Sequence, residues 1–217
     1  MQKYLPRIVD KVLENKLEYM GAVLIEGCKW CGKSTTARQV AKSYIEFQDP
    51  DKKLQYDKTN QTKPSLFLVG EKPRLFDEWQ MYPVVWDSIR MDLDHTGLKG
   101  QYILTGSARP AESSVMHSGT GRISKLLMRP MSLYESGESD GTVSLRSIIE
   151  GKDIESVSSL DFDNLIDVMV RGGFPASLDV SDDNKYKIAK EYVKSLLNEE
   201  IKFTDGVERN ASKMGAV

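Results

Sequence analysis

Eight consecutive residues have the types and the spacing of a phosphate-binding loop. Residues 27–34 read Gly-Cys-Lys-Trp-Cys-Gly-Lys-Ser, which fills every fixed position of the pattern G-x-x-x-x-G-K-[ST]. In such a loop the backbone N–H groups surround phosphate, and Gly27 and Gly32 allow the tight turn. Lys33 would face the β- and γ-phosphates, and Ser34 would offer its hydroxyl to Mg²⁺. The pattern predicts a site for a nucleoside triphosphate with magnesium.

The residues on both sides of this loop support the prediction. Residues 22–25 are an apolar run that is too short for a helix and rich in strand formers. Residues 35–45 contain neither proline nor glycine and predict a helix. A strand, a glycine loop and a helix in this order aim backbone N–H groups at phosphate. The predicted nucleotide-binding residues are Gly27, Cys28, Lys29, Trp30, Cys31, Gly32, Lys33, Ser34 and Thr35.

Two adjacent carboxylates end another predicted strand. Asp77 and Glu78 come directly after Leu75 and Phe76. Magnesium in proteins keeps several waters and takes few protein oxygens, so one aspartate beside Ser34 is sufficient to position the ion. The adjacent glutamate could orient a water molecule for attack on phosphate. The bland alternative is a solvated acidic pair, and the complete phosphate loop upstream favours the catalytic interpretation.

Three further polar residues are candidates for the same site. Thr105 closes a predicted strand, so its hydroxyl could contact the γ-phosphate or the attacking water, or could begin the turn at Gly106. Arg122 follows the glycine-rich residues 119–121 and could reach a transferring phosphate in its own subunit or a neighbour's. Its alternative is a solvated loop arginine. Arg171 could approach a nucleotide or cap a helix.

The two cysteines of the chain, Cys28 and Cys31, have C-x-x-C spacing inside the loop. Zinc needs about four ligands, and the two histidines, His95 and His117, are far apart in sequence. Redox pairs with this spacing open a helix in another kind of fold. The favoured interpretation is that both are variable positions of the phosphate loop. A disulfide between them would distort the loop.

Strand and helix patterns alternate along most of the chain, which indicates a parallel sheet covered by helices on both faces. Predicted strands occupy residues 22–25, 74–78, 101–105 and 126–128, and predicted helices occupy residues 4–20, 35–45 and 84–94. The polar residues 48–64 are interpreted as a surface connection. Helical patterns at residues 145–149, 162–170 and 183–203 predict a small helical domain.

These patterns predict three parts. Residues 1–137 form an α/β nucleotide-binding core, residues 138–205 form the helical domain, and residues 206–217 begin a region that is interrupted at the end of the chain. The chain is therefore expected to belong to something longer.

Composition limits the classes of partner. The 217 residues include 30 basic and 32 acidic side chains, so the basic excess of a domain dominated by nucleic-acid binding is absent. No apolar run is long enough to span a bilayer, and the first residues lack a secretory apolar segment. We expect a cytoplasmic protein without a membrane partner. Two cysteines inside one loop provide no disulfide framework.

A series of short motifs in a fixed order resembles the AAA-type ATPases of bacteria and archaea that carry a C-terminal domain of unknown function. The resemblance runs through almost the whole chain. The motifs that carry it are Tyr4-Leu5-Pro6-Arg7, the loop at residues 27–34, Leu75-Phe76-Asp77-Glu78-Trp79-Gln80, Ile103-Leu104-Thr105-Gly106-Ser107, Gly119-Thr120-Gly121-Arg122, Arg129-Pro130-Met131-Ser132-Leu133 and Gly172-Gly173-Phe174-Pro175.

The resemblance implies a three-layer αβα AAA+ core, ATP as the substrate and a helical lid. It implies that Asp77 and Glu78 are the second nucleotide motif and that Thr105 is a sensor-like position, and it makes Arg122 a candidate arginine finger. An arginine acting in trans would require a homo-oligomer. Family members continue beyond the end of this chain, so a protein or nucleic-acid target could be served by the missing C-terminal region.

Two functions follow from these expectations. The first is Mg²⁺-dependent hydrolysis of ATP to ADP and phosphate, with Lys33, Glu78, Thr105 and Arg122 as catalytic residues and Ser34 and Asp77 at the metal. The alternative is an ATP-controlled molecular switch, a binding module with little intrinsic turnover.

Overall fold

The computed structural model describes residues 4–106, 119–181 and 184–196. The predicted region at residues 206–217 and the end of the predicted helix at residues 183–203 lie outside this part. The described residues fall into two compact units, residues 8–129 and residues 4–7 together with 130–196. The division of the chain at residues 137 and 205, and the lid role of the second part, stay predictions.

The first unit is built on a parallel sheet of five strands. Their bounds are Ala22–Glu26 (β1), Ser43–Glu46 (β2), Arg74–Asp77 (β3), Tyr102–Gly106 (β4) and Ile123–Leu127 (β5). The order across the sheet is β2-β3-β4-β1-β5. All four neighbouring pairs run parallel, so the carboxyl ends of the strands meet at one edge. The segments that follow β1, β3 and β4 therefore converge there.

Helices cover both faces of this sheet. The helices are Ile8–Tyr19 (α1), Lys33–Val40 (α2), Lys53–Thr62 (α3) and Val84–Thr96 (α4). Alternate strand residues point to opposite faces. Val23 and Ile25 belong to a buried cluster with residues of α1 and α2, whereas Leu24 belongs to a cluster with residues of α3 and α4. The α/β fold with three layers is confirmed.

Two local predictions in this unit are wrong. The helix predicted over residues 35–45 ends at Val40, and its last residues belong to β2. Residues 48–64, predicted as a surface connection, contain α3. Both errors have one cause, since these elements bury little. The edge strand β2 exposes Tyr44, and Tyr56 is the buried residue of α3. Because the apolar pattern of these elements is weak, the sequence gives only their local propensity and does not indicate which residues pack against the core.

The second unit is helical in its described part. It contains Leu145–Ile149 (α5), Phe162–Arg171 (α6) and Lys185–Ser195 (α7). Arg7 and Glu135 form a buried ion pair with 3.0 Å between Nε and Oε1. The N–H of Met131 donates to the Gly173 carbonyl at 2.6 Å, and a Cβ at Gly173 would lie 2.3 Å from the Met131 oxygen. The contact between Met131 and Gly173 joins two of the short motifs, at residues 129–133 and 172–175, within one unit.

Candidate nucleotide-binding site

The phosphate loop leaves the carboxyl end of β1 and enters α2 directly. Gly32, immediately before α2, has φ 102°, which L side chains rarely adopt. Trp30 also has a positive φ, 64°, and its side chain is exposed. A Cβ at Gly27 would lie 2.2 Å from the carbonyl oxygen of Met128. Glycine is therefore required at both fixed positions, by backbone conformation at one and by close approach at the other.

Lys33 is the first residue of α2 and is buried, with 6% exposure. Its Nζ donates hydrogen bonds to the carbonyl oxygens of Gly27 (3.0 Å) and Cys28 (2.9 Å). The ammonium group is thus held inside the curve of the loop by backbone oxygens. A phosphate oxygen is a stronger acceptor than a carbonyl because it is charged. Lys33 is placed where a polyanion in the loop would meet it.

Three strands and the loop bring a cluster of oxygen atoms together. The sheet register sets Ile25, Thr105 and Asp77 side by side. The Ser34 hydroxyl donates to Asp77 Oδ1 at 2.6 Å. The Thr105 hydroxyl, which is fully buried, donates to the same oxygen. Asp77 therefore links the loop to the ends of β3 and β4, and sequence-predicted residues that are far apart in the chain meet at one carboxylate.

The chemistry of this cluster fits magnesium. Its donors are a carboxylate and two hydroxyl groups, and Mg²⁺ binds hard oxygen ligands. The 2.6 Å contact shows that Ser34 and Asp77 are close enough to act on one ion or its waters. The loop beside them has the backbone turn and the buried lysine that phosphate requires. The residues present fit a magnesium nucleotide, and the individual roles stay predictions.

Glu78 has an unusual backbone conformation. It follows β3 directly and adopts φ 54° and ψ 50°, the left-handed region. For a residue with a Cβ this conformation costs about 1–2 kcal/mol. Gln80 lies two residues further on, and its Nε2 donates to Glu78 Oε2. Gln80 is not among the residues predicted from the sequence, because nothing in the sequence indicates the left-handed backbone of Glu78.

Arg122 lies far from this cluster in its own chain. It immediately precedes β5, and its carbonyl accepts from the Ala22 N–H at 3.1 Å, at the amino edge of the sheet. The four residue-to-residue steps along β1 separate the two edges by about 13 Å. The Arg122 Nε contacts Asp94 Oδ1 at 2.6 Å. The structure therefore does not bring Arg122 together with Lys33, and a finger role is left for a neighbouring subunit.

Two other candidates lie at the ends of helices. Arg171 ends α6, forms an ion pair with Glu138 at 2.7 Å and donates to the Gly172 carbonyl at 3.3 Å. The contact with Gly172 lies at the end of α6, and the approach of Arg171 to a nucleotide stays a prediction. Thr35 lies in the first turn of α2 and is exposed, and its carbonyl accepts from Gln39.

The two cysteines of the loop differ in environment. Cys28 is exposed, whereas Cys31 is fully buried and its Sγ lies 3.7 Å from the Met128 carbonyl oxygen. Burial raises the pKa of the Cys31 thiol, and the neighbouring Cys28 thiol raises it further. The chain turns at Lys29 and Trp30. A turn of this kind brings its first and last Cα atoms within about 7 Å, the limit for a disulfide.

Oxidation of this pair is expected to weaken nucleotide binding. A disulfide would pull Cys28 toward the core and displace its carbonyl from Lys33. With hydrogen peroxide, two thiols give one disulfide and two waters, and the exposed Cys28 reacts first. We expect the affinity for ATP, measured by calorimetry, to fall on oxidation and to return with dithiothreitol. The Cys28→Ser variant is the control, because it cannot form the bridge. Equal affinity with the disulfide confirmed by mass would contradict the expectation.

The parallel sheet, the loop at the end of β1 and the carboxylate at the end of β3 together define the P-loop nucleoside triphosphatase fold. Residues 20–137 match the AAA domain family, and the chain belongs to that family. The match spans the loop, Asp77, Glu78, Thr105 and Arg122.

The solved structures that this chain resembles are distant from it in sequence. A Walker-type ATPase of Pyrococcus abyssi is 16% identical, with a TM-score of 0.52, and the match covers 92% of this chain and 75% of that chain. A STAND signal-transduction ATPase with a tetratricopeptide repeat sensor from Pyrococcus horikoshii is 15% identical, with a TM-score of 0.47, and the match covers 94% of this chain and 35% of that chain. No curated protein matches significantly. None of the helices in the described ranges is both long and apolar enough to cross a bilayer.

Proposed function

We propose that this protein binds ATP with Mg²⁺ and hydrolyses it to ADP and phosphate. The observation that carries the proposal is the cluster at Asp77, where the loop hydroxyl of Ser34 and the strand-end hydroxyl of Thr105 meet one carboxylate oxygen. The buried Lys33 lies in the adjacent loop. Membership in the AAA domain family supports a nucleotide as the ligand. The Walker-type ATPase among the similar structures is consistent with this reaction.

The loop, Lys33, Glu78 and Thr105 each have a role in this reaction. The loop N–H groups and the Lys33 ammonium hold the phosphates and counter the charge that develops on the transferred group. Glu78 orients the water that attacks the γ-phosphorus and accepts its proton as the bond to ADP breaks. Thr105 contacts the γ-phosphate or that water. The arrangement works mainly by positioning, because phosphoryl transfer needs alignment more than a strong base.

Magnesium would be held by Ser34, with Asp77 binding its water shell. When bound, the ion would supply positive charge that offsets the negative charge of the phosphates. The Asp77 carboxylate accepts hydrogen bonds from Ser34 and Thr105 and would keep both hydroxyl groups beside the ion.

Phosphate release by the purified protein tests this function. We expect release to require both ATP and Mg²⁺ and to stop when EDTA removes the metal. Asp77→Asn keeps the size of the side chain and removes its charge, so this variant should need more Mg²⁺ for half-maximal rate. Phosphate release that persists in EDTA would contradict the role of the metal. No heat on titrating ATP into folded protein would remove the whole proposal.

One observation favours the alternative, an ATP-controlled switch with little turnover. Arg122 of the same chain lies at the opposite edge of the sheet, so a single subunit lacks this arginine at its own phosphates. Arginine fingers contribute about 10³–10⁵ in rate where they are used. If Arg122 acts in trans, the rate per subunit rises with protein concentration as subunits associate. Tight ATP binding without phosphate release at any concentration would favour the switch.

A further inference from the structure

We propose that Gln80 is a positioning residue that holds the Glu78 carboxylate for attack by water, and that Gly106 exists to let it do so. This inference rests on the proposed ATP hydrolysis. It begins from the hydrogen bond that Gln80 Nε2 donates to Glu78 Oε2 across the short turn after β3. The turn is closed by the Met81 N–H, which donates to the Glu78 carbonyl at 3.1 Å.

The orientation of the Gln80 amide follows from its partner. A carboxylate only accepts hydrogen bonds, so the nitrogen of the amide must face Glu78 and the oxygen must face away. That oxygen, Oε1, is buried, and among the residues that the structure describes no donor reaches it. Leaving a buried carbonyl without a donor costs free energy. The position of the Gln80 side chain therefore does not maximise its own hydrogen bonding. This indicates that the amide is positioned for its hydrogen bond to Glu78.

Gly106 provides the space for this amide. It is the last residue of β4 and directly follows Thr105. A Cβ at Gly106 would lie 2.7 Å from Gln80 Oε1 and 3.3 Å from Trp79 Nε1. Any larger residue would push the amide away from the end of β4. The absence of a side chain at this position thus allows Gln80 to lie over the strand whose threonine contacts Asp77.

The left-handed backbone of Glu78 explains why its carboxylate needs a positioning residue. This conformation directs the carboxylate away from the course that an extended residue would give it. A glutamate side chain has three rotatable bonds, and it retains several rotamers unless another group restrains it. Because hydrolysis depends on alignment of the water, an unrestrained carboxylate would lower the rate without changing how the nucleotide is bound.

Two substitutions move this contact by different routes. Gln80→Met keeps the length and bulk of the side chain and removes the donor. Gly106→Ala leaves Gln80 unchanged and displaces its amide, and the backbone of Gly106 has no positive φ that alanine would resist. The matched control is Gln101→Met, because the Gln101 amide also donates to a residue two positions away, the carbonyl of Lys99 at 2.7 Å.

We expect both Gln80→Met and Gly106→Ala to lower kcat at least about 10-fold, while KM, the Kd for ATP and the melting temperature stay near those of the unchanged protein. Gln101→Met should keep the full rate. In a Glu78→Ala background, Gln80→Met should lower kcat no further, because Gln80 acts through Glu78.

Four outcomes would overturn the proposal, and they are distinguishable. A normal kcat in Gln80→Met would show that Glu78 needs no positioning residue, and it would leave the proposed hydrolysis unaffected. Parallel losses of ATP affinity and melting temperature show that Gln80 is a packing residue. An additive loss in the Glu78→Ala background shows an action that does not pass through Glu78. If the unchanged protein releases no phosphate, the proposed function falls and this inference falls with it.

Discussion

Replacing Lys33 with alanine is expected to lower the affinity for ATP by at least about 100-fold. The ammonium group is buried and held at the carbonyls of Gly27 and Cys28, inside the curve of the loop. Charge-assisted hydrogen bonds contribute about 1.5–3 kcal/mol each, and two such contacts with phosphate exceed the 2.7 kcal/mol of a 100-fold change. Isothermal titration calorimetry with ATP and Mg²⁺ measures the loss.

The control for this variant is Lys42→Ala. Lys42 is exposed and follows α2, so its removal changes the net charge equally and leaves the loop intact. Both proteins should give cooperative thermal unfolding, which separates a lost ligand contact from a lost fold. An affinity in Lys33→Ala within about twofold of that of Lys42→Ala would contradict the role assigned to the loop.

Replacing Glu78 with glutamine is expected to lower turnover by about 10²–10⁴-fold and to preserve binding. The amide has the size of the carboxylate but cannot accept a proton, and general bases contribute about 10²–10⁴ to rates. The affinity for ATP should stay unchanged because the phosphates contact the loop and Lys33. A single-turnover assay of phosphate release, run beside calorimetry, measures both quantities.

Glu71→Gln is the matched control for this second variant. Glu71 has an exposed side chain, and its substitution removes the same charge away from the carboxyl edge of β3. It should hydrolyse ATP at the rate of the unchanged protein. A Glu78→Gln variant with that same rate would refute the assignment of Glu78 as the residue that orients water.

The parts of the site that sequence could predict are those built from local patterns. The loop, β1 and the start of α2 are contiguous, and their glycines, apolar run and lysine are read within about twenty residues. The strand before Asp77 and the strand before Thr105 are apolar and buried on both faces, which gives a strong signal. Because the carboxyl ends of parallel strands meet at one edge of a sheet, Ser34, Asp77 and Thr105 are expected to lie close together.

The sequence could not predict the register of the strands or the edge of the sheet at which a given residue lies. Arg122 follows a glycine-rich segment that suggests a mobile finger, yet β5 pairs in parallel with β1 and fixes this arginine at the amino edge. Strand order is decided by contacts among residues far apart in the chain. The edge strand β2 and helix α3 were missed for a related reason, since an element that buries one or two residues has almost no apolar periodicity.

The Gln80 contact was missed for a different reason. Nothing in the sequence indicates that Glu78 has a left-handed backbone, because this conformation is typical of glycine and asparagine. Without it, the orientation of the Glu78 side chain and its distance from Gln80 cannot be inferred. Strained residues of this kind occur where the surrounding structure imposes them, so tertiary packing and not propensity decides them.

The positive φ of Glu78 has a consequence for directed evolution of this protein. Glycine accepts that conformation without penalty, so a population selected only for survival of heating would accumulate glycine at position 78. The selected variants would be more thermostable but would lack the carboxylate. Thermostability and catalysis are therefore opposed at this position, and a library enriched for thermostability must be screened separately for hydrolysis.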